Sequence, residues 1–196
     1  MEATLRDDFR APLLTLRSFV RLESEESEII RSWRNDERTR RWLYQNSEID
    51  ALEHARFMRT LQSTTTKGYW LAFKADSPLG VVSLTQFSSA HKRAYLGIYT
   101  DPNRQGEGLG KGLMEALIWL AFEQFSLHAL RLEVLEANTP ALRLYEGLGF
   151  VREGILRDYL LRDEAYHDVI IMSLINPKSP DLGSDSRTGI AQTSGI

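Results

Sequence analysis

The chain has 196 residues, 42% hydrophobic and 26% charged, which suits one domain with a substantial core. Its 24 basic and 27 acidic residues leave a formal net charge of −3, which argues against nucleic-acid binding by bulk charge. The absence of cysteine excludes disulfides, cysteine nucleophiles and thiolate metal sites.

No apolar run reaches the length of a membrane span, and Met1–Arg10 carries acids without a hydrophobic stretch, unlike a signal peptide. A cytoplasmic protein with no membrane or nucleic-acid partner is the expectation. Residues 1–13 read as a loose leader. Asn176–Ile196, rich in Ser, Gly, Asp and Pro without helical or strand period, reads as a flexible tail. One domain, 14–175, lies between them with no internal repeat.

Within that domain Leu14–Arg21 is predicted as a strand and Glu23–Arg34 as an acidic helix. Leu52, Ala55, Met58 and Leu61 place a second helix over Asp50–Gln62. Tyr69–Lys74, Gly80–Gln86 and Ala94–Thr100 are β-rich runs separated by turn residues, the pattern of an antiparallel meander. Four glycines, at 106, 108, 110 and 112, lead into a long amphipathic helix with Leu113, Leu117, Ile118, Ala121 and Phe122 on its apolar stripe. Leu130–Leu135 alternates as a strand. Asn138 or Thr139 caps a helix that takes Pro140 in its first turn and ends at Gly147 or Gly149. Strands at Phe150–Leu156 and Asp168–Leu174 complete an α/β (α+β) pattern, a mixed sheet covered by helices on both faces.

The segment Thr100–Lys111 follows a strand and opens a helix, so bare amides and a helix N-terminus converge where a pyrophosphate would sit. It is no P-loop, because Gly112 stands where Ser or Thr would follow Lys111. Nor is it a dinucleotide fingerprint, because the preceding strand belongs to a meander. Read alone, it is also compatible with a glycine-rich connection that binds nothing. A second segment, Glu136–Phe150, follows the later strand.

Together, Gln105-x-x-Gly108-x-Gly110 and Asn138-x-x-Ala141-x-x-Leu144-Tyr145-x-x-x-Gly149-Phe150 resemble the acetyl-CoA-binding segments of the GCN5-related N-acetyltransferase superfamily. The resemblance covers residues 14–175. It implies a mostly antiparallel sheet splayed between the fourth and fifth strands, Ala94–Thr100 and Leu130–Leu135, with acetyl-CoA in the gap and no metal. It further implies pantetheine contacts from the backbone of Ile98, Tyr99 and Thr100. The pyrophosphate would rest on the amides of Gln105, Gly106, Glu107, Gly108, Leu109, Gly110 and Lys111. Asn138 would meet the cofactor arm and Arg143 the nucleotide end. Tyr145 matches the tyrosine beside the thioester sulfur, a phenol able to protonate the departing thiolate. A backbone N–H of a bulged fourth strand would support the carbonyl oxygen.

The amine must also lose a proton. Glu133 alternates away from Leu132 and Val134 and so can face the cleft, with Tyr95, Tyr99 and Ser83 as competitors on neighbouring strands. Attack without a dedicated base is the alternative. The absence of cysteine, and of triad spacing around any serine, points to direct transfer in a ternary complex.

The acceptor half is expected in the first helices and the meander. Trp33-Arg34-Asn35-Asp36, Arg41–Tyr44, Glu53-His54-x-x-Phe57, Leu79–Thr85 and Tyr95–Tyr99 resemble nucleotide-sugar N-acetyltransferases of pseudaminic acid biosynthesis. That resemblance implies acetylation of the 4-amino group of a UDP-4-amino-4,6-dideoxy sugar. Arg34 and His54 would bind phosphate or uridine oxygens, with Tyr44, Tyr99, Trp33 or Trp42 packing or stacking. Read singly, Trp33 and Trp42 are core anchors and Arg34 an ion-pair partner of Asp36. The acidic run Glu23, Glu25, Glu26, Glu28 raises a polyamine, or a ribosomal-protein N-terminus, as an alternative acceptor. A module that binds acyl-CoA without turnover is a third reading. An edge strand or the meander's open face offers a surface for a homodimer.

Overall fold

The computed structural model describes residues 3–179. Eight strands form one sheet: β1 (Phe9–Arg10), β2 (Thr15–Ser18), β3 (Gly68–Lys74), β4 (Ser77–Ser88), β5 (Arg93–Thr100), β6 (Ala129–Leu135), β7 (Val151–Arg162) and β8 (Ala165–Ile175). Their order is β1-β2-β3-β4-β5-β6-β8-β7. Every neighbouring pair is antiparallel except β5 and β6, which run parallel. Helices α1 (Ser24–Asn35) and α3 (Ala51–Thr60) serve one face, with the short α2 (Glu37–Arg40) between them in the chain, and α4 (Leu109–Trp119) and α5 (Thr139–Gly147) the other. No helix among the described residues is long and apolar enough to cross a membrane.

Period-two alternation divides the core into two layers. Val82 and Leu84 of β4 join Leu113, Met114 and Leu117 of α4, whereas Val81 joins Ile30 and Trp33 of α1. Both faces of β4 are therefore covered, which explains its continuous apolar run. Gly80 lies where β4, β5 and α4 meet. A Cβ there would stand 2.5 Å from the Tyr99 carbonyl oxygen and 2.6 Å from Leu113 Cδ1. Gly80→Ala is expected to lower stability by about 1–3 kcal/mol, the usual cost of overpacking, read as a shifted urea midpoint with an unchanged slope.

Residues 3–13 differ from the expected leader. Leu5 and Phe9 are buried, and Phe9 packs edge-on against Trp70 and Phe125. Trp70 Nε1 donates to the Asp7 carbonyl at 2.8 Å. Apolar residues spaced among acids supply a strap across the sheet edge, so the domain begins before Leu14. At the other end, Asn176 bonds the main chain of Leu127 and His128, and Lys178 pairs with Glu123. Residues 180–196 of the expected tail lie outside the described residues.

Helix starts follow local chemistry. Glu23 and Glu26 form a capping box on α1, Asp50 caps α3, and Asn138 rather than Thr139 caps α5. The final hairpin is longer than predicted, turning at Asp163–Glu164, both with positive φ. Leu14–Arg21 is strand only to Ser18 and then turns tightly through Phe19–Arg21.

Because β1 precedes them, the strands expected as fourth and fifth are β5 and β6. They pair only over Arg93↔Ala129, Ala94↔Leu130 and Tyr95↔Arg131. From Leu96 and Leu132 onward they part. The expected bulge does not interrupt β5, whose register with β4 is continuous from Tyr95 to Thr100; it falls in β4, between Thr85 and Ser88.

Candidate active site

Three clefts meet along the opening between β5 and β6. The first, about 530 Å³, is lined by Thr100, Gln105, Gly106, Gly108–Lys111, Asn138 and, from the opposite side, Arg41 and Trp42. The second, about 330 Å³, fills the gap between Leu96–Thr100 and Leu132–Val134 and reaches Tyr145. The third, about 430 Å³, lies on the α1/α3 face and holds Arg34, Glu53, His54, Tyr69, Ser83 and Tyr99. Leu43, Gly97, Ile98 and Tyr99 line both the second and third.

In the first cleft, Gly108 adopts φ +72° as the N-cap of α4, and Gly106 φ +91°. A Cβ on either would meet no protein atom within 4 Å, so both face open cleft. The amides of Gly108, Leu109 and Gly110 have no hydrogen-bond acceptor among the described residues and carry the positive end of α4. That is a cradle for a diphosphate. Glu107 and Lys111, expected to contribute amides, spend them on the carbonyls of Arg104 and Gly108. The Glu107 side chain is likewise tied to Arg104 at 2.7 Å. Lys111 lines the cleft and lies 3.8 Å from Glu115.

In the gap, register decides which main-chain groups are available. Asp101 N–H donates to the Leu79 carbonyl, so alternate residues Tyr99, Gly97 and Tyr95 turn their main-chain groups to β4. Leu96, Ile98 and Thr100 turn theirs toward β6. The main-chain groups of Ile98 and Thr100 therefore face the gap and are free to pair with an extended arm, whereas Tyr99 lines the third cleft as well.

Tyr145 is set by the end of α5. Asn138 Oδ1 accepts the Ala141 N–H at the start, and the Tyr145 carbonyl accepts the N–H groups of Leu148 and Phe150 at the finish. Gly149, at φ +89°, permits that reversal and brings the Phe150 ring to 6.0 Å from the Tyr145 ring. The Tyr145 ring is buried in the core, yet its residue lines the gap and its hydroxyl makes no hydrogen bond among the described residues. Burial pushes its phenol up to about 12.

Of the base candidates, Glu133 and Tyr99 line the cleft that holds Tyr145, and Glu133 is the carboxylate of the two. Glu133 accepts a hydrogen bond from the Tyr44 hydroxyl at 2.5 Å. Ser83 lies in the third cleft and donates to the Gly97 carbonyl, and Tyr95 lines none of the three. Arg143 is exposed on α5 and also lines none.

The acceptor candidates are placed unequally. Arg34 lines the third cleft but donates to the carbonyls of Gln45 and Ser47, so it ties a loop rather than pairing with Asp36, which binds Arg38. His54 is buried against Ser27, and desolvation lowers its pKa. Tyr44 is turned to Glu133 instead of the third cleft. Trp33 is a core anchor, whereas Trp42 forms a cleft wall under the Arg41 guanidinium, 4.9 Å from its ring. The acidic run on α1 is largely spoken for: Glu26 pairs with Arg17, Glu28 with Arg31 at 2.5 Å, and Glu23 caps the helix.

Comparison with known proteins locates this arrangement. The family model described as Acetyltransferase (GNAT) family matches residues 27–150. Acetyltransferase PseH of Campylobacter jejuni is 32% identical over 134 residues, spanning 68% of this chain and 82% of PseH. The crystal structure of Campylobacter jejuni PseH with acetyl coenzyme A superposes with a TM-score of 0.66 at 29% identity, covering 83% of this chain and 99% of that one. The spermidine N-acetyltransferase of Vibrio cholerae, in complex with CoA and spermine, superposes with a TM-score of 0.76 over 83% of this chain and 95% of its own; at 24% identity this speaks for the fold. Since the matched segment covers more than half of the chain and includes the loop, both parting strands and α5, the protein belongs to the GNAT family and is an acetyl-CoA-dependent acetyltransferase.

Proposed function

We propose that the acceptor is the 4-amino group of a nucleotide-linked 4-amino-4,6-dideoxy sugar bound in the third cleft. The observation that carries this reading is the composition of the cleft wall. Glu53 is the one carboxylate among the lining residues described, set among Arg34, Gln45, Ser83, Tyr69 and Tyr99 with Phe19, Ile30, Ile49 and Phe57. A sugar with hydroxyls, an amine and a deoxy methyl group suits such a mixture, whereas several ammonium groups call for several carboxylates. The likeness to sugar-nucleotide acetyltransferases in the Arg34, His54 and meander segments supports the same choice.

Gly108, Leu109 and Gly110 would hold the coenzyme pyrophosphate, Ile98 and Thr100 the pantetheine amides, and Asn138 the arm beside them. Acetyl-CoA, when bound, supplies an acyl group already activated as a thioester. Tyr145 donates its hydroxyl proton toward the leaving sulfur, and burial keeps that proton in place at neutral pH. Glu133 receives the amine proton through water, with Tyr44 holding its carboxylate. Main-chain N–H groups on the gap side of β5 would support the carbonyl oxygen.

A polyamine acceptor is the second reading. Glu53 in the third cleft, which could meet an ammonium group, supports it. Thiol release with a UDP-4-amino-4,6-dideoxy sugar, compared with spermidine at equal concentration, separates the two. The sugar is expected to give the larger kcat/KM, and a larger value for spermidine would replace the sugar as acceptor. A second copy of the chain would seat on the edge formed by β7, where Ile155, Leu161 and the neighbouring Tyr166 are exposed.

A further inference from the structure

We propose that Arg162, at the far end of β7, is a positioning residue for acetyl transfer: it clamps the segment Arg41–Tyr44 that forms a wall of both the coenzyme cleft and the acceptor cleft. The inference rests on acetyl-CoA-dependent transfer by this fold and is independent of which amine is the acceptor.

Arg162 donates from Nη1 to the Arg41 carbonyl and from Nη2 to the Leu43 carbonyl. The two carbonyls straddle Trp42, and a planar guanidinium is suited to span them, as a lysine ammonium is not. A second contact comes from the same strand. The Tyr159 ring lies 6.0 Å from the Tyr44 ring. Its placement depends on a bulge between Leu156 and Leu160, where Asp158 takes φ +50° and its N–H donates to Asp168 Oδ1 at 2.8 Å. Such a bulge re-aims a side chain that regular alternation would direct elsewhere.

The clamped residues open a longer connection. It lies between the end of α2 at Arg40 and the start of α3 at Ala51. Its later half is tied to α1, through Arg34 to Gln45 and Ser47 and through Asn35 to Ile49. The earlier half has local turn bonds, the Tyr44 bond to Glu133 of β6 and the contacts from β7. Yet this half bears on every cleft: Trp42 lines the first two, Leu43 lines the second and third, and Tyr44 binds Glu133. A small shift of one segment would displace three catalytic surfaces together, and misplacement of about 1 Å can cost about 10²-fold.

The test uses Arg162→Gln and Arg162→Lys in the full chain. Amide hydrogen exchange at Trp42–Gln45 in the free protein is expected to accelerate by about tenfold or more in Arg162→Gln, with the β7–β8 amides unchanged. Acetyl-CoA affinity, by calorimetry, should weaken several-fold. Acceptor kcat/KM should fall by about tenfold or more, with Arg162→Lys between the variant and wild type. Unchanged exchange in the segment, or unchanged kinetics despite faster exchange, would overturn the proposal, as would losses that merely follow a lowered Tm. Should Arg162→Gln not fold, Arg162→Lys and Tyr159→Ala carry the same readouts. Exchange and coenzyme affinity decide the matter even if the sugar is not acetylated, so failure of the acceptor assignment is seen separately.

Discussion

Replacing Tyr145 by phenylalanine is expected to lower kcat on the order of 10²-fold while leaving acetyl-CoA affinity near its wild-type value. The substitution removes one oxygen and keeps the ring, which is where the residue's packing lies: against Phe150 and within the apolar layer under the gap. Since the hydroxyl has no protein partner among the described residues, its loss leaves no buried donor or acceptor unpaired. Stability should therefore change little, and any fall in rate reports chemistry. The direction of the pKa shift sharpens the test. Burial disfavours the phenolate and pushes the group up to about 12, so the hydroxyl retains its proton throughout an ordinary assay range. The wild-type kcat should thus show no loss belonging to this residue as pH rises to about 10, the ordinary phenol value. A limb near pH 10 that disappears in Tyr145→Phe would contradict that environment. Unchanged turnover in the variant would remove the residue from the mechanism altogether.

What could be read from the chain follows from how local each signal is. The glycine loop, the Asn138 cap and the Gly149 reversal are all written within a few residues of the group they position, and sequence spacing carries such information well. Glu133 could be placed by strand alternation alone, because its neighbours Leu132 and Val134 must enter the core. The two core layers were legible for the same reason. The family resemblance added which of these groups would face a coenzyme.

Long-range geometry was not legible. Arg162 reaches Arg41 across more than a hundred residues, and no periodicity announces that contact. Tyr44 has the look of a stacking residue until the hairpin and β6 bring Glu133 beside it. Arg34 has the right charge for a phosphate, but a loop with open carbonyls lies nearer. Leu5 and Phe9 went unrecognised as core because acidic and basic neighbours dilute a short segment that gains its partners, Trp70 and Phe125, only in the folded sheet. Even within the glycine loop, which amides are free depends on turn geometry: Glu107 and Lys111 close local bonds, leaving Gln105, Gly106, Gly108, Leu109 and Gly110 for a ligand.

That division of the loop amides makes Gly108 the most exacting position in the coenzyme cleft. Gly108→Val is expected to weaken acetyl-CoA binding by about 10²-fold or more. Displacing an anion from two or three N–H groups forfeits charge-assisted bonds of about 1.5–3 kcal/mol each, and every 1.4 kcal/mol or so is tenfold in affinity. Two effects act together. The backbone at φ +72° is a left-handed conformation that a β-branched residue adopts only with strain. The new side chain would also project where the protein leaves space, since a Cβ there meets no protein atom within 4 Å. The clash is therefore with the ligand and not with the fold. Gly108→Ala separates the contributions: it carries much of the strain with little of the bulk, so its affinity should fall between the two. Gly112→Ala is the control, because Gly112 sits inside α4 at ordinary φ with open space around its Cβ. There the change should stabilise the helix by about 1 kcal/mol without altering the affinity. Calorimetric titration of all three with acetyl-CoA reads the series directly. Wild-type affinity in Gly108→Val would mean that the diphosphate rests elsewhere, and the cradle of free amides at the start of α4 would lose its assigned ligand.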